Sequence, residues 1–177
     1  VGNLLLQQEH ARDEVPSLPL DVLVAMTEGS LGYILQQALL NEMRRRKIRR
    51  YVVTVITQVR VDEDDPAFSK PTKPIGRFYE EEEARSMAAE HGWQTAEDAG
   101  RGWRCVVASP HPAEIVDLES LDALVGRGIL IAAGGGGIPV ARRDGALAGV
   151  EGVIDKDRAS AVLARHRLPR LSGQRTF

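Results

Sequence analysis

The sequence predicts an α/β fold: a three-layer α/β/α sandwich on a mainly parallel sheet, with a small protruding lid subdomain. Three observations lead there. Residues 51–59 (Tyr51-Val52-Val53-Thr54-Val55-Ile56-Thr57-Gln58-Val59) are rich in β-branched side chains and apolar on both faces toward their start, as a central parallel strand requires. A second apolar run, Gly128-Ile129-Leu130-Ile131-Ala132-Ala133, leads directly into four consecutive glycines, the pattern of a buried strand that opens into a loop. Strand-like runs alternate with stretches of helical spacing, and right-handed crossovers fold such an alternation into helical layers on a parallel sheet.

The elements follow in order. The chain opens on Val1-Gly2-Asn3 without a methionine and passes at once into the helix-like Leu4-Leu5-Leu6-Gln7-Gln8. Pro19-Leu20-Asp21 offers a helix start, and residues 22–47 carry Leu31, Ile34, Leu35, Ala38, Leu39 and Met43 at helical spacing. Gly29 and Gly32 mark a break or a close contact within that helix. Its closing Arg44-Arg45-Arg46-Lys47 suits the negative end of the helix dipole better than it suits an anion patch.

Residues 62–102 turn polar, and we read them as the excursion that forms the lid. They hold a helix at 80–91 closed by Gly92, with acidic residues in its first turn. Those carboxylates read as a solvated face, so no metal site is expected. Strand character returns at 103–107, where Cys105 reads as half-buried. Residues 118–125 form a short amphipathic helix, and Arg143-Asp144-Gly145-Ala146 is a hairpin signal. The domain is expected to span 1–165, with 166–177 a disordered or aberrant tail, since that stretch is basic, broken by Pro169 and Gly173, and without periodicity.

Composition narrows the function classes. The 177 residues suffice for one domain, or one with an insertion, and 43% hydrophobic with 27% charged residues is ordinary for a globular protein. Net charge is −2, so no global field draws the chain to nucleic acid or to an anionic membrane. The apolar runs are too short to span a bilayer and no signal peptide is evident, which points to the cytoplasm. A single cysteine excludes an internal disulfide and a multi-cysteine zinc site.

The chemistry-bearing pattern lies late in the chain. Gly134, Gly135, Gly136 and Gly137 follow a strand, and about twenty residues on comes Asp155-Lys156-Asp157. Without Cβ atoms a glycine loop lets backbone N–H groups approach an anion, while the lysine adds a mobile positive charge. A flexible turn and a surface ion pair are the plain alternatives for each part taken singly.

Several separated motifs in this order resemble the carbamate kinases of the amino acid kinase family. They are the start at Val1-Gly2-Asn3, Pro19-Leu20-Asp21 with Val24-Ala25-Met26-Thr27, Thr57-Gln58-Val59, Pro71-Thr72-Lys73-Pro74-Ile75-Gly76, and Asp98-Ala99-Gly100-Arg101-Gly102-Trp103-Arg104. The glycine run with Ile138-Pro139-Val140, and residues 149–157, complete the set.

The resemblance implies reversible phosphoryl transfer between carbamoyl phosphate and ADP, giving ATP and carbamate. It also implies Mg2+ dependence, a cytoplasmic homodimer and a place in arginine catabolism. It assigns Lys73 to the transferring phosphoryl group or to carbamoyl phosphate, Lys156 to the phosphoryl oxygens, and Asp157 to orienting the lysines. Gly134 to Gly137 would line the nucleotide or acyl-phosphate cleft, and Gly2 and Asn3 would face the substrate.

Against the family pattern, Glu28 replaces glutamine, Cys105 replaces lysine and Arg77 replaces proline. An opening strand with its Gly-Gly-Asn loop and the closing adenine-pocket segments are not in this sequence, so an internal fragment is expected. The alternatives are an inactive kinase fragment that at most supports dimerisation, and another amino acid kinase acting on acetylglutamate, glutamate or aspartate.

Overall fold

Two neighbouring stretches of chain run parallel and are interrupted at the same level, and the rest of the architecture is arranged around that gap. In the computed structural model, which describes residues 1–171, the elements are α1 (Gly2–His10), α2 (Leu20–Arg45), β1 (Tyr51–Thr54), β2 (Gln58–Arg60), β3 (Lys73–Tyr79), α3 (Glu81–His91), β4 (Gln94–Glu97) and β5 (Trp103–Val107). They continue with β6 (Glu114–Ile115), α4 (Leu118–Leu124), β7 (Gly128–Ile131), a 3-10 turn (Gly134–Gly136), β8 (Ile138–Arg143), β9 (Ala146–Gly149) and α5 (Lys156–Leu171).

The single strand expected at 51–59 is two. β1 pairs in parallel with β7, and β2 pairs in parallel with β8 inside a four-stranded sheet ordered β6-β2-β8-β9. The break falls at residues 55–57, where the Thr57 N–H goes to Glu28 and its hydroxyl to Ala133. β1 is also less buried than expected: Val52 is covered, whereas Tyr51 and Val53 are exposed, because alternate residues point to opposite faces and the face that bears Tyr51 and Val53 is left open. The apolar run before the glycines is likewise half-buried along β7.

Parallel pairing is narrower than "mainly parallel". Among the described residues it joins β1 to β7 and β2 to β8, with one isolated parallel bridge from Val125 to Gly128, while β6 and β9 join antiparallel. The β8–β9 connection is the expected hairpin. Asp144 and Gly145 take φ of 51° and 83°, and positive values at both central positions define the turn whose twist suits a two-residue hairpin.

Two apolar clusters fix helices to this sheet. Val59, Ile115, Ala141, Ile154 and Ala159 pack with Leu121 of α4. Ile138 and Val140 of β8 pack instead with Leu20, Leu23 and Val24 of α2, joined by Leu4 and Leu5 of α1. Alternate residues of β8 thus serve separate clusters, as the two-residue period of a strand dictates. Fully burying a side chain such as Ile154 contributes about 1.5–3 kcal/mol.

α2 runs unbroken for 26 residues, so Gly29 and Gly32 do not interrupt it. Gly32 is a close contact: a Cβ there would sit 2.1 Å from Thr54 Cγ2. The helix starts at Leu20, whose N–H donates to both Glu151 carboxylate oxygens at 3.2 Å, a cap supplied from 131 residues away.

The polar excursion folds as a separate three-stranded antiparallel sheet, β3-β5-β4, carrying α3. Trp103–Val107 is its middle strand and does not return to the main sheet, so the excursion extends past residue 102. α3 ends as expected, with Gly92 at φ 69°. Cys105 is buried rather than half-buried. α5 continues to Leu171, so the first residues of the expected tail are helical, since propagating a helix adds one bond per residue without needing an apolar face. Residues 172–177 lie outside the described residues.

Candidate functional site

The glycine loop lies in the gap between the paired strand interruptions. Ala133, Gly135, Gly136 and Gly137 take φ of 52°, 75°, 119° and 80°. Two of these glycines are required by close approach as well as by φ. A Cβ on Gly136 would fall 2.2 Å from Ile154 O, and one on Gly137 would fall 2.4 Å from Val59 Cγ2. The loop is thereby pressed onto the chain that enters α5.

Thr57 ties the two interruptions together. Its hydroxyl accepts the Ala133 N–H at 2.9 Å and donates to Val55 O at 2.9 Å, while its carbonyl accepts the Ile138 N–H at 2.8 Å. Its own N–H donates to Glu28 Oε2 at 3.1 Å. Among the described residues Glu28 is one of two buried polar side chains, is 1% exposed, and has no hydrogen-bond partner for its Oε1. Desolvation raises the Glu28 carboxyl above its ordinary value, against smaller opposing effects from Thr57 and the Gly134 amide.

The charged triplet stands at the start of α5. Asp155 Oδ1 accepts the N–H groups of Asp157 at 3.0 Å and Arg158 at 3.2 Å, which caps the helix. Asp155 Oδ2 accepts from Lys73 Nζ at 3.2 Å. The Arg158 amide and then Lys73 hold this carboxyl below the usual range, more than partial burial raises it. Lys156 and Asp157 form a pair at 3.4 Å with both side chains largely exposed, a contact worth about 0–1 kcal/mol.

Of the residues expected to form the site, Lys73, Lys156, Asp157 and the glycine run are therefore brought to one region by the Lys73–Asp155 and Gly136–Ile154 contacts. Gly2 joins through the backbone: a Cβ on it would lie 2.2 Å from Gly76 N, so the start of α1 is seated on the strand that carries Lys73. Asn3 is exposed in the first turn of α1. Among the described residues the carboxylate that meets Lys73 is Asp155, and Asp157 meets Lys156.

Sequence reasoning met Asp155 only as part of the charged triplet and Glu28 only as a departure from the family pattern, and placed neither among the site residues. An aspartate just ahead of a helix is a capping signal that marks Asp155. Glu28 sits at i+4 from Val24 and i−4 from Gly32 within the buried stripe of α2, where a carboxylate is out of place.

Backbone amides of a glycine loop, the positive end of α5 and two lysines make a setting suited to an anion such as a phosphoryl group. No described helix is long and apolar enough to cross a membrane.

No family model matches the chain. The carbamate kinase of Pyrococcus furiosus is 53% identical over 167 residues, 93% of this chain and 53% of that protein. Carbamate kinase 2 of Enterococcus faecalis is 56% identical over 168 residues, 94% of this chain and 54% of the relative. Among solved structures, carbamate kinase from Giardia lamblia bound to citric acid superposes with a TM-score of 0.89 at 44% identity, covering 93% of this chain and 54% of that one. The same enzyme bound to AMP-PNP superposes at 0.79, again at 44% identity and over 93% of this chain and 53% of that one. The chain thus spans about half the length of the relatives it matches, and over nearly all of its own length it is a homologue of the carbamate kinases in sequence and in fold.

Proposed function

We propose that this chain carries carbamate kinase chemistry: reversible transfer of a phosphoryl group between carbamoyl phosphate and ADP, giving ATP and carbamate, in arginine catabolism. The observation that carries the reading is the Lys73–Asp155 contact, which sets a lysine of the small sheet at the start of α5, where the glycine loop also packs. We read the layers around the main sheet as the amino acid kinase sandwich, and the small sheet as its lid.

In the direction of ATP synthesis, a terminal ADP oxygen attacks phosphorus in line. The new P–O bond forms as the bond to the carbamoyl oxygen breaks, and carbamate leaves with the electron pair. No strong base is needed, because both nucleophile and leaving group are anions. Loop amides, Lys73 and Lys156 offset the charge on the equatorial oxygens, so catalysis rests on positioning and electrostatics. Asp155 holds Lys73 in place, and Gly2 and Asn3 line the approach on the β3 side.

No group of three or more metal-ligating side chains lies together among the described residues. Mg2+ carried on nucleotide phosphates needs only one or two protein carboxylates. Asp157, exposed at the start of α5, would be the one to hold it, and the ion would neutralise phosphate charge. The homodimer and the cytoplasmic location belong to the same reading; sedimentation velocity tests the first, and the exposed Leu31, Tyr33, Ile34 and Leu35 of α2 favour it.

The test is ATP formation from ADP, carbamoyl phosphate and Mg2+ by the chain and by Lys73→Ala and Lys156→Ala. Each variant is expected to lose about 10²–10³-fold in kcat, the scale for removing one group aimed at developing charge. Equal rates in the variants would sink the assignment. A second reading is a chain that keeps the fold without turnover, and a folded protein that makes no ATP would select it.

A further inference from the structure

One threonine holds the glycine loop at both ends. Ala133 and Ile138 stand on either side of Gly134 to Gly137, and each gives its N–H to Thr57: Ala133 to the hydroxyl at 2.9 Å, Ile138 to the carbonyl at 2.8 Å. The same hydroxyl donates to Val55 O at 2.9 Å, and the Thr57 N–H goes to Glu28 Oε2 at 3.1 Å. Every polar group of a residue that is 0% exposed is therefore engaged. A hydroxyl accepts and donates at once, which this position needs and a valine of similar shape cannot supply.

The clamp decides which amides of the loop stay available. Those of Ala133 and Ile138 are taken by Thr57, and Gly136 N–H turns inward to Ala133 O at 3.0 Å. The N–H groups of Gly135 and Gly137 make no hydrogen bond among the described residues. Four glycines in a row form the most freely moving backbone a chain can have, so on an untethered loop these amides would converge on an anion only by losing that freedom during binding. Tethering both ends moves the ordering into the folding of the protein and leaves the amides set in advance.

We propose that Thr57 is a positioning residue for the phosphate-bearing ligand: through Ala133 and Ile138 it fixes the two ends of the glycine loop, so that the Gly135 and Gly137 amides face the anion before it arrives. The proposal rests on the reading of the glycine loop as a phosphate site. Thr57 itself, fully buried, touches no ligand.

The experiment records the Ala133, Gly135 and Gly137 amide signals by NMR in wild type, Thr57→Val and Thr57→Ser, well below the melting temperature of each, first free and then with AMP-PNP. Without ligand, the valine variant should exchange its Ala133 amide faster and move the Gly135 and Gly137 signals, while the serine variant stays close to wild type. With AMP-PNP, the valine variant should bind about tenfold more weakly, the scale of one net hydrogen bond, and the serine variant should regain most of the affinity. A role in stability alone would lower the melting temperature and leave the affinity of the folded protein unchanged. Loop signals that stay in place in the valine variant overturn the proposal without any ligand, as does a serine variant as weak as the valine one or a valine variant that binds like wild type. If the free valine variant shows the shifts but AMP-PNP leaves Gly135 and Gly137 unmoved in wild type, the phosphate-site reading fails and takes the proposal with it.

Discussion

Lys73 and Asp155 stand 82 residues apart in the chain and 3.2 Å apart in space. The same carboxylate caps α5 through its other oxygen, so one side chain both starts a helix and orients a lysine.

These two duties separate by substitution. Asparagine caps a helix about as well as aspartate but carries no charge to hold Lys73. Asp155→Asn should therefore cost stability no more than about 1 kcal/mol in urea unfolding, while Asp155→Ala should cost about 1 kcal/mol more through the lost cap. Both should lower the rate of ATP formation alike. A Asn variant with wild-type turnover would separate Asp155 from Lys73 function.

Asp155 also sets an acid limit. Its carboxyl is depressed in the folded state by the Arg158 amide first and Lys73 next, so its contribution is present above the unfolded value of about 4 and is lost as pH falls through the folded value. Tm measured downward from pH 5 should fall more steeply in wild type than in Asp155→Asn.

Glu28 acts in the opposite sense. Its folded-state carboxyl is raised, so the stability it lends is fully present below the unfolded value and is lost as pH rises through the folded one. Glu28→Gln should be more stable than wild type at pH 8, by about 1–3 kcal/mol, the scale of a buried unsatisfied polar group. Near pH 4 the gap should close. A gap of constant size across this range would mean the effect is not ionisation.

The glycines of the loop should not be equivalent. Gly136→Ala meets backbone at 2.2 Å as well as an unfavourable φ, and should cost about 2–4 kcal/mol. Gly135→Ala has open space around it and should cost about 1–2 kcal/mol from φ alone. Chemical denaturation of the two variants distinguishes a loop pressed onto α5 from a free turn.

Burial pushes the Cys105 thiol up to about 11. Alkylation by iodoacetamide at pH 8 should be slow in the folded protein and rise to that of an ordinary thiol in urea. Fast alkylation without denaturant would show that the small sheet opens.

Local codes account for what the sequence made legible. The Gly92 cap, the Asp144 and Gly145 turn and the β-branched strands each depend on a few adjacent residues. The division of residues 51–59 was hidden because Thr57 is itself a good strand former, and its ladder is replaced by bonds to Glu28 and Ala133, 29 and 76 residues away. At the site, the glycine run and the Asp-Lys-Asp triplet stood out as patterns. The partner of Lys73 did not, since which of two aspartates faces a distant lysine is decided by how the small sheet docks. Glu28 showed in the sequence only as a replacement for the family's glutamine, and its burial under the loop depends on how α2 docks.

Where Gly2 rests on Gly76, two main chains touch with no side chain between them. Such a seat has no interlocking parts, so the tilt of the lysine-bearing sheet is governed by atoms that are missing. The protein is then more easily disarmed by gaining matter than by losing it: one methyl group at position 2 would wedge the two chains apart and carry Lys73 off its mark.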